Sequence, residues 1–176
     1  TALVAQDEGK IEVNNDKTGT VKIQGKVEVG ETAIINAILN NANSYWNFTD
    51  NSKMTSLELS NGALLDMTKD NGKFSNLMVS NLAGDNGNIN MDIDASVDKQ
   101  SDRIYIAGEH SGTHYISLNN TGDGTNGAEG TVLVSVGNER GEFKAKPSEG
   151  NLYWNTYALA HKDSSTEGYG LSLIHI

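Results

Sequence analysis

The chain has 176 residues, enough for one domain with its own core, and its 13 Lys and Arg against 23 Asp and Glu leave a formal net charge of −10. That balance, with no basic run anywhere, argues against nucleic acid and anionic lipid as partners, because phosphate binding needs a basic face. The absence of cysteine excludes disulfides and thiolate metal sites, and it fits a protein that crosses an oxidising compartment without being locked there.

Residues 9–30, GKIEVNNDKTGTVKIQGKVEVG, alternate Ile11/Val13, Val21/Ile23 and Val27/Val29 with charged residues and close each run with Gly or Asn. The pattern predicts three short strands, one turn of a solenoid, with Lys and Glu on a solvated outer face. Residues 33–43, AIINAILNNAN, are ambiguous: Ile34, Ile35, Ile38 and Leu39 lie at helical spacing, while β-branching favours a strand, the reading taken here. From Tyr45 the alternation returns with Trp46 and Phe48, then Leu57/Leu59 and Leu64/(Leu65)/Met67, separated by NFTDNS, LSNG and TKDNGK. The last of these carries Asn71-Gly72, a pair suited to positive φ.

Phe74 to Gly122 repeats strand, tight turn and strand four times, with Phe74/Leu77/Val79, Ile89/Met91/Ile93, Ile104/Ile106 and Tyr115/(Ile116)/Leu118 as the apolar sets. Turns rich in Gly, Asn and Asp fall between them, and a strand-to-strand spacing of about 10–15 residues is too short for a crossover helix. DGTNGAEG, 123–130, reads as a loop. Beyond it TVLVSV, GEFKAK, TYALAHK and YGLSLIHI are four further strands, Pro147 ending the second and a loop of about six residues joining the last two as a hairpin. Low Pro with abundant Gly and Asn suits strands joined by left-handed turns. Leu57, Leu59, Leu64, Leu77, Val79, Ile89, Met91, Ile104 and Ile106 are expected to point inward and stack coil on coil. A β-sandwich also spaces strands at about 8–12 residues, but unequal spacing and Asn-rich corners favour a parallel β-helix.

Several side-chain groups invite chemistry. His110 and His114 in EHSGTH, with Glu109, suggest zinc, but structural zinc wants four ligands and Ser111-Gly112 is a turn signal, so a turn-flanking polar pair is expected instead. Asp92, Asp94 and Asp98 in MDIDASVD could gather around calcium, yet the loop glycine and distant Glu of a calcium loop are missing, and an acidic outer face is expected. Catalytic carboxylates across a cleft are not suggested by acids scattered singly among Asn and Lys, and no GxSxG elbow, P-loop or dinucleotide fingerprint occurs. No catalytic, cofactor or metal residue is therefore assigned. Tyr45, Trp46, Phe48, Phe74, Tyr153, Trp154 and Tyr157 are expected in core or cap packing rather than as a ligand platform.

The ordered series Trp46, Leu57, Leu59, Gly62, Phe74, Leu77, Val79, Asn81, Leu82, Gly84, Gly87, Asp94, Asp102, Gly108, Gly112, His114, Asn120 and Gly122 resembles the C-terminal part of pertactin-like passenger domains of bacterial autotransporters. The likeness covers roughly 44 to 176 and weakens after Gly122; the final SLIHI matches poorly. It implies an all-β fold, a right-handed parallel β-helix with coils over 1–122 and a hairpin-rich cap, the autochaperone end, over 123–176. The expected core of coils and cap is Trp46, Leu57, Leu59, Phe74, Leu77, Val79, Ile89, Ile104, Trp154 and Tyr157.

The resemblance further implies a non-enzymatic folding module without cofactor. It would be extracellular, on the surface of a Gram-negative-type bacterium reached through the outer membrane. Its expected partners are the upstream passenger and a downstream outer-membrane barrel, and possible ligands lie on host or neighbouring bacterial surfaces. Two alternatives stay open: an adhesin stalk, and a polysaccharide-degrading β-helix. No apolar run approaches the roughly 20 residues of a membrane helix, and Thr1 opens no signal peptide, so signal and anchor are expected outside this stretch.

Overall fold

In the computed structural model the described residues are 2–69, 73–96, 100–122, 130–146, 157–164 and 168–175, the last two stretches as backbone only. Every element among them is a strand: β1 Leu3–Ala5, β2 Lys10–Val13, β3 Lys22–Gln24, β4 Val27–Val29, β5 Ile34–Leu39, β6 Tyr45–Asn47, β7 Ser52–Leu59, β8 Leu64–Asp66 and β9 Asn76–Ala83. There follow β10 Gly87–Asp94, β11 Gln100–Ser101, β12 Arg103–His110, β13 Thr113–Asn120, β14 Val132–Glu139, β15 Glu142–Ala145, β16 Tyr157–Ser164 and β17 Gly168–His175.

Apart from β10–β11 and β16–β17, the strands do not pair with their sequence neighbours as in a sandwich. One sheet runs β2, β5, β7, β9, β12, β14 and a second runs β3, β6, β8, β10, β13, β15, each in parallel. β1 lies parallel on β4 in a short third sheet, and β11 joins β10 antiparallel. The chain thus winds as a β-solenoid of about five turns. A coil takes 20 residues where Ile35 binds Thr55 and 29 where His110 meets Glu139.

Period-two alternation fills the interior with continuous columns. Ile23, Trp46, Leu65, Ile89 and Ile116 lie in register on one sheet, and Leu77, Ile104 and Val134 on the other, all buried. Leu57, Leu59 and Val79 are buried as well. β5 resolves the ambiguous stretch as a strand: Ile35, Ala37 and Leu39 face in, while Ile34 is 38% exposed.

Two register expectations need correction. Leu64 does not point inward; it is half-buried beside Tyr45 and Asn88, and Ala63, Leu65 and Met67 are buried instead. Likewise Ile116 takes the inward place and Tyr115 does not. Adjacent apolar residues carry the same hydropathy, so pairing with Trp46 and Ile89 decides which one enters the column. Phe74 precedes β9 and is half-buried.

The corners between the two sheets stack as regularly as the strands. The N–H groups of Asn61, Asn86 and Glu142 donate to the carbonyls of Asp85, Thr113 and Gly112 at 2.8–2.9 Å, each to a corner one coil on or one coil back. Asn61 and Asn86 sit at φ 53° and 61°, left-handed values that Asn tolerates. Gly112 has φ 85°, and a Cβ there would lie 2.1 Å from the Gly84 carbonyl oxygen, so only glycine lets these corners approach.

At the C-terminal end, parallel stacking continues beyond residue 122. β14 adds to β12 through Ile104↔Val134 and Ile106↔Val136, and β15 adds to β13 through His114↔Phe143. The hairpin-rich stretch expected over 123–176 thus begins with another parallel coil, which the inward alternation of Val134 and Val136 sustains. The antiparallel hairpin is β16–β17, paired from Tyr157↔His175 to Ser164↔Gly168, and β17 lies antiparallel on β14. Its connection is thus shorter than the six residues expected. Pro147, the turn at Asn71-Gly72 and most of the 123–130 loop lie outside the described residues.

Candidate functional site

Two polar clusters interrupt the apolar interior, both at corners. The first begins at the end of β12, where the chain folds back through Gly112 into β13. The fold-back faces His110 towards His114, with Nε2 of the one 2.8 Å from Nδ1 of the other. One coil on, Glu139 hydrogen-bonds His110 Nδ1 and Phe143 stacks on the His110 ring at 3.9 Å between centroids. Both imidazoles are fully buried.

His110 Nδ1–H donates to the carboxylate of Glu139. His110 Nε2 then accepts from His114 Nδ1, and His114 Nε2 is left as a buried lone pair without a hydrogen bond. Burial, followed by the neighbouring His110, lowers the His114 pKa to about 4; the Ala83 and Leu59 carbonyls favour its charged form but do not offset this. His110 is also lowered by burial, against the opposing pull of Glu139. Because the ring nitrogens face one another, they do not converge on a common point as metal ligands must. Among the described residues no group of three His, Cys, Asp or Glu is placed to hold a metal. The pair flanks the turn, as its spacing predicts, and the turn at Gly112 brings the two rings together inside the coil.

The second cluster joins β10 to the start of β12. Asp102 Oδ1 accepts the Ser75 N–H at 2.6 Å and Oδ2 accepts the Asp92 N–H at 2.7 Å. Asp92 in turn accepts from Lys69 N–H at 2.6 Å and from Asn119 Nδ2 at 2.7 Å. Burial raises both carboxyls, Asp102 to about 7. The expectation of an acidic outer face is corrected for Asp92: it is buried, its carboxylate held by the Lys69 N–H and Asn119 Nδ2. Asp94 instead binds the Ser96 N–H at 2.9 Å in a local turn, and Asp98 lies outside the described residues. Asp92 and Asp102 are out of reach of a polymeric substrate. Asp102 stands in the sequence reading only as one residue of the resemblance series; its one signal as a site is that of a single acid between Ser101 and Arg103 just before an apolar strand.

Of the aromatic residues, Trp46 and Phe48 are buried with centroids 4.9 Å apart, and Trp46 Nε1 donates to the Gly25 carbonyl at 3.0 Å one coil back. Tyr153 and Trp154 lie outside the described residues, and Tyr157 is described as backbone alone. On the outer surface two open grooves, of about 450 and 420 Å³, meet at Lys53 and Met78. The small residues Ser80, Ala107 and Gly137 hollow the second, and Met78 on its wall is 52% exposed.

Stacked parallel coils around an apolar interior, with buried polar clusters at the corners, define a β-solenoid. The sequence matches the Pertactin family model over residues 54–172, and the chain belongs to that family. Passengers of this family are secreted, surface-exposed and generally non-enzymatic. No curated protein matches the chain. The family match starts in β7, whereas the coils from β2 to β6 continue the same parallel register ahead of it.

Proposed function

We propose that this chain is the folding and capping module of a secreted autotransporter passenger, itself without catalytic activity. The observation that carries the reading is the reversal of strand direction at the C-terminal end, where β17 lies antiparallel on β14 after an unbroken parallel series. An open solenoid coil presents unpaired N–H and C=O groups above apolar side chains. The β16–β17 hairpin occupies that edge on the sheet that ends in β14. A preformed edge of this kind lets each coil towards the N-terminus close a loop of only about 20–30 residues against an existing partner, which costs little entropy. The expected neighbours are the upstream coils of the passenger and a downstream outer-membrane barrel, with the module on the cell surface.

Native-state hydrogen exchange tests the reading: amides of 54–120, 132–145 and 157–175 should outlast those of 9–43. Slowest exchange in the N-terminal coils, or unchanged refolding and passenger secretion after removal of 157–175, would defeat it. The joined grooves at Lys53 and Met78 support a second reading, an adhesive stalk. Under it, Met78→Glu leaves folding and secretion unchanged but abolishes attachment of cells displaying the passenger.

A further inference from the structure

We propose that the buried His110–His114 pair, with Glu139 at one end, is an acid-sensitive latch that holds the last parallel coil, β14–β15, on the stack and releases it on acidification. The pair stands at the boundary between two coils: His110 and His114 belong to the corner from β12 to β13, and Glu139 and Phe143 to the corner from β14 to β15. The rings are tightly enclosed, since a Cβ at Gly87 would lie 2.8 Å from His114 Cδ2 and one at Gly141 would lie 2.8 Å from His110 Cε1. Glu139 also binds the Gly141 N–H at 2.8 Å, so the same carboxylate holds the imidazole and shapes the corner of the last coil.

The hydrogen-bond chain has one free lone pair, on His114 Nε2, and an added proton goes there. It creates a cation beside His110 in a site closed to water. Charged groups around the pair do little to compensate it. Glu139, at the end of β14, is spent on His110, and Asp85, in the turn before β10, acts on His114 only weakly. Glu109 of β12 pairs outward with Arg140, and Glu142 of β15 pairs with Lys144. β13 brings no charged residue, and Glu58 of β7 is bound to Lys17.

His114 is depressed from its ordinary 6.5 to about 4, so an opened coil binds protons that the closed one refuses. The stabilisation is complete above about pH 6.5 and is lost as pH falls towards 4. Local opening of the last coil should therefore become about fifty- to a hundredfold more frequent between pH 7 and 4.5. The latch goes beyond the folding role and stands without it, because its readout is opening of the finished fold rather than its formation.

The test is amide exchange of the whole chain at pH 7 and 4.5, corrected for the intrinsic rate, with ring NMR of the histidines across the same range. Amides of Val134, Val136 and Phe143 should lose protection by that factor relative to Leu57 and Leu59, and the His110 and His114 rings should stay neutral below pH 5. His110→Gln/His114→Gln should abolish the difference. Should that variant not fold, the wild-type ring titration and the contrast between β14–β15 and β7 decide alone. Rings that titrate near 6.5 in an intact fold, or equal pH response in the two regions, overturn the proposal.

Discussion

Asp102 accepts the N–H of Ser75 at 2.6 Å from the coil before it, and with its other oxygen it accepts the N–H of Asp92 on the opposite sheet. One side chain thus fastens both a coil-to-coil and a sheet-to-sheet junction. Asp102→Ala leaves two buried donors unpaired, and at about 1–3 kcal/mol each the loss is expected to be about 2–6 kcal/mol. Urea unfolding at pH 5 measures it; a change under 1 kcal/mol would mean that water or backbone rearrangement replaces the Asp102 carboxyl.

The same residue has a pH signature opposite to that of the histidines. Burial raises the folded Asp102 pKa from 3.8 to about 7, so the folded state holds a proton that the unfolded state gives up. Its contribution is fully present below pH 3.8 and is lost as pH rises through 7. In Asp102→Asn that decline should vanish. The urea midpoint of the variant should therefore move up relative to wild type as pH rises from 4 to 7.5, and a parallel shift of both curves would refute the assignment.

Leu77 and Ile104 lie side by side in the inward column of β9 and β12, fully buried. Truncating either to Ala opens a cavity in a stack whose neighbours are tied to their own coils and collapse poorly, with an expected cost of about 2–5 kcal/mol. Thermal or urea denaturation gives the value. Leu64→Ala, at the half-buried outward position, should cost much less, and equal losses at both sites would contradict the register.

Gly112→Ala should be the most damaging single methyl in the corner. It forces a side chain to φ 85° and places a Cβ 2.1 Å from the Gly84 carbonyl oxygen. Gly130, also at positive φ (74°), has nothing within 4 Å of a would-be Cβ, so Gly130→Ala bears only the backbone strain. Melting temperatures of the two variants should differ by several degrees, the Gly112 variant lower.

The strands were legible because Ile89, Met91 and Ile93 repeat at the period of a pleat with turn residues on either side. Leu64 against Leu65, and Tyr115 against Ile116, were not, since neighbouring apolar residues leave the phase of the alternation undetermined until another strand is laid against it. The polar clusters were harder still. Ser111-Gly112 marks a turn between His110 and His114, but only the corner's geometry shows that the two rings then meet face to face inside the coil. Asp102 owes its role to Ser75 and Asp92, 27 and 10 residues away, and local sequence carries no trace of a contact with an earlier coil.

A coil of 20 residues and a coil of 29 stack equally well because strand register is fixed by the inward columns while length is taken up between strands. Insertions and deletions among relatives should therefore fall chiefly at corners, with a shift inside a strand confined to places like the irregular stretch of β12 between Ile106 and His110. A lineage can thus redecorate the outside of this protein, residue by residue or loop by loop, while handing down an unaltered spine.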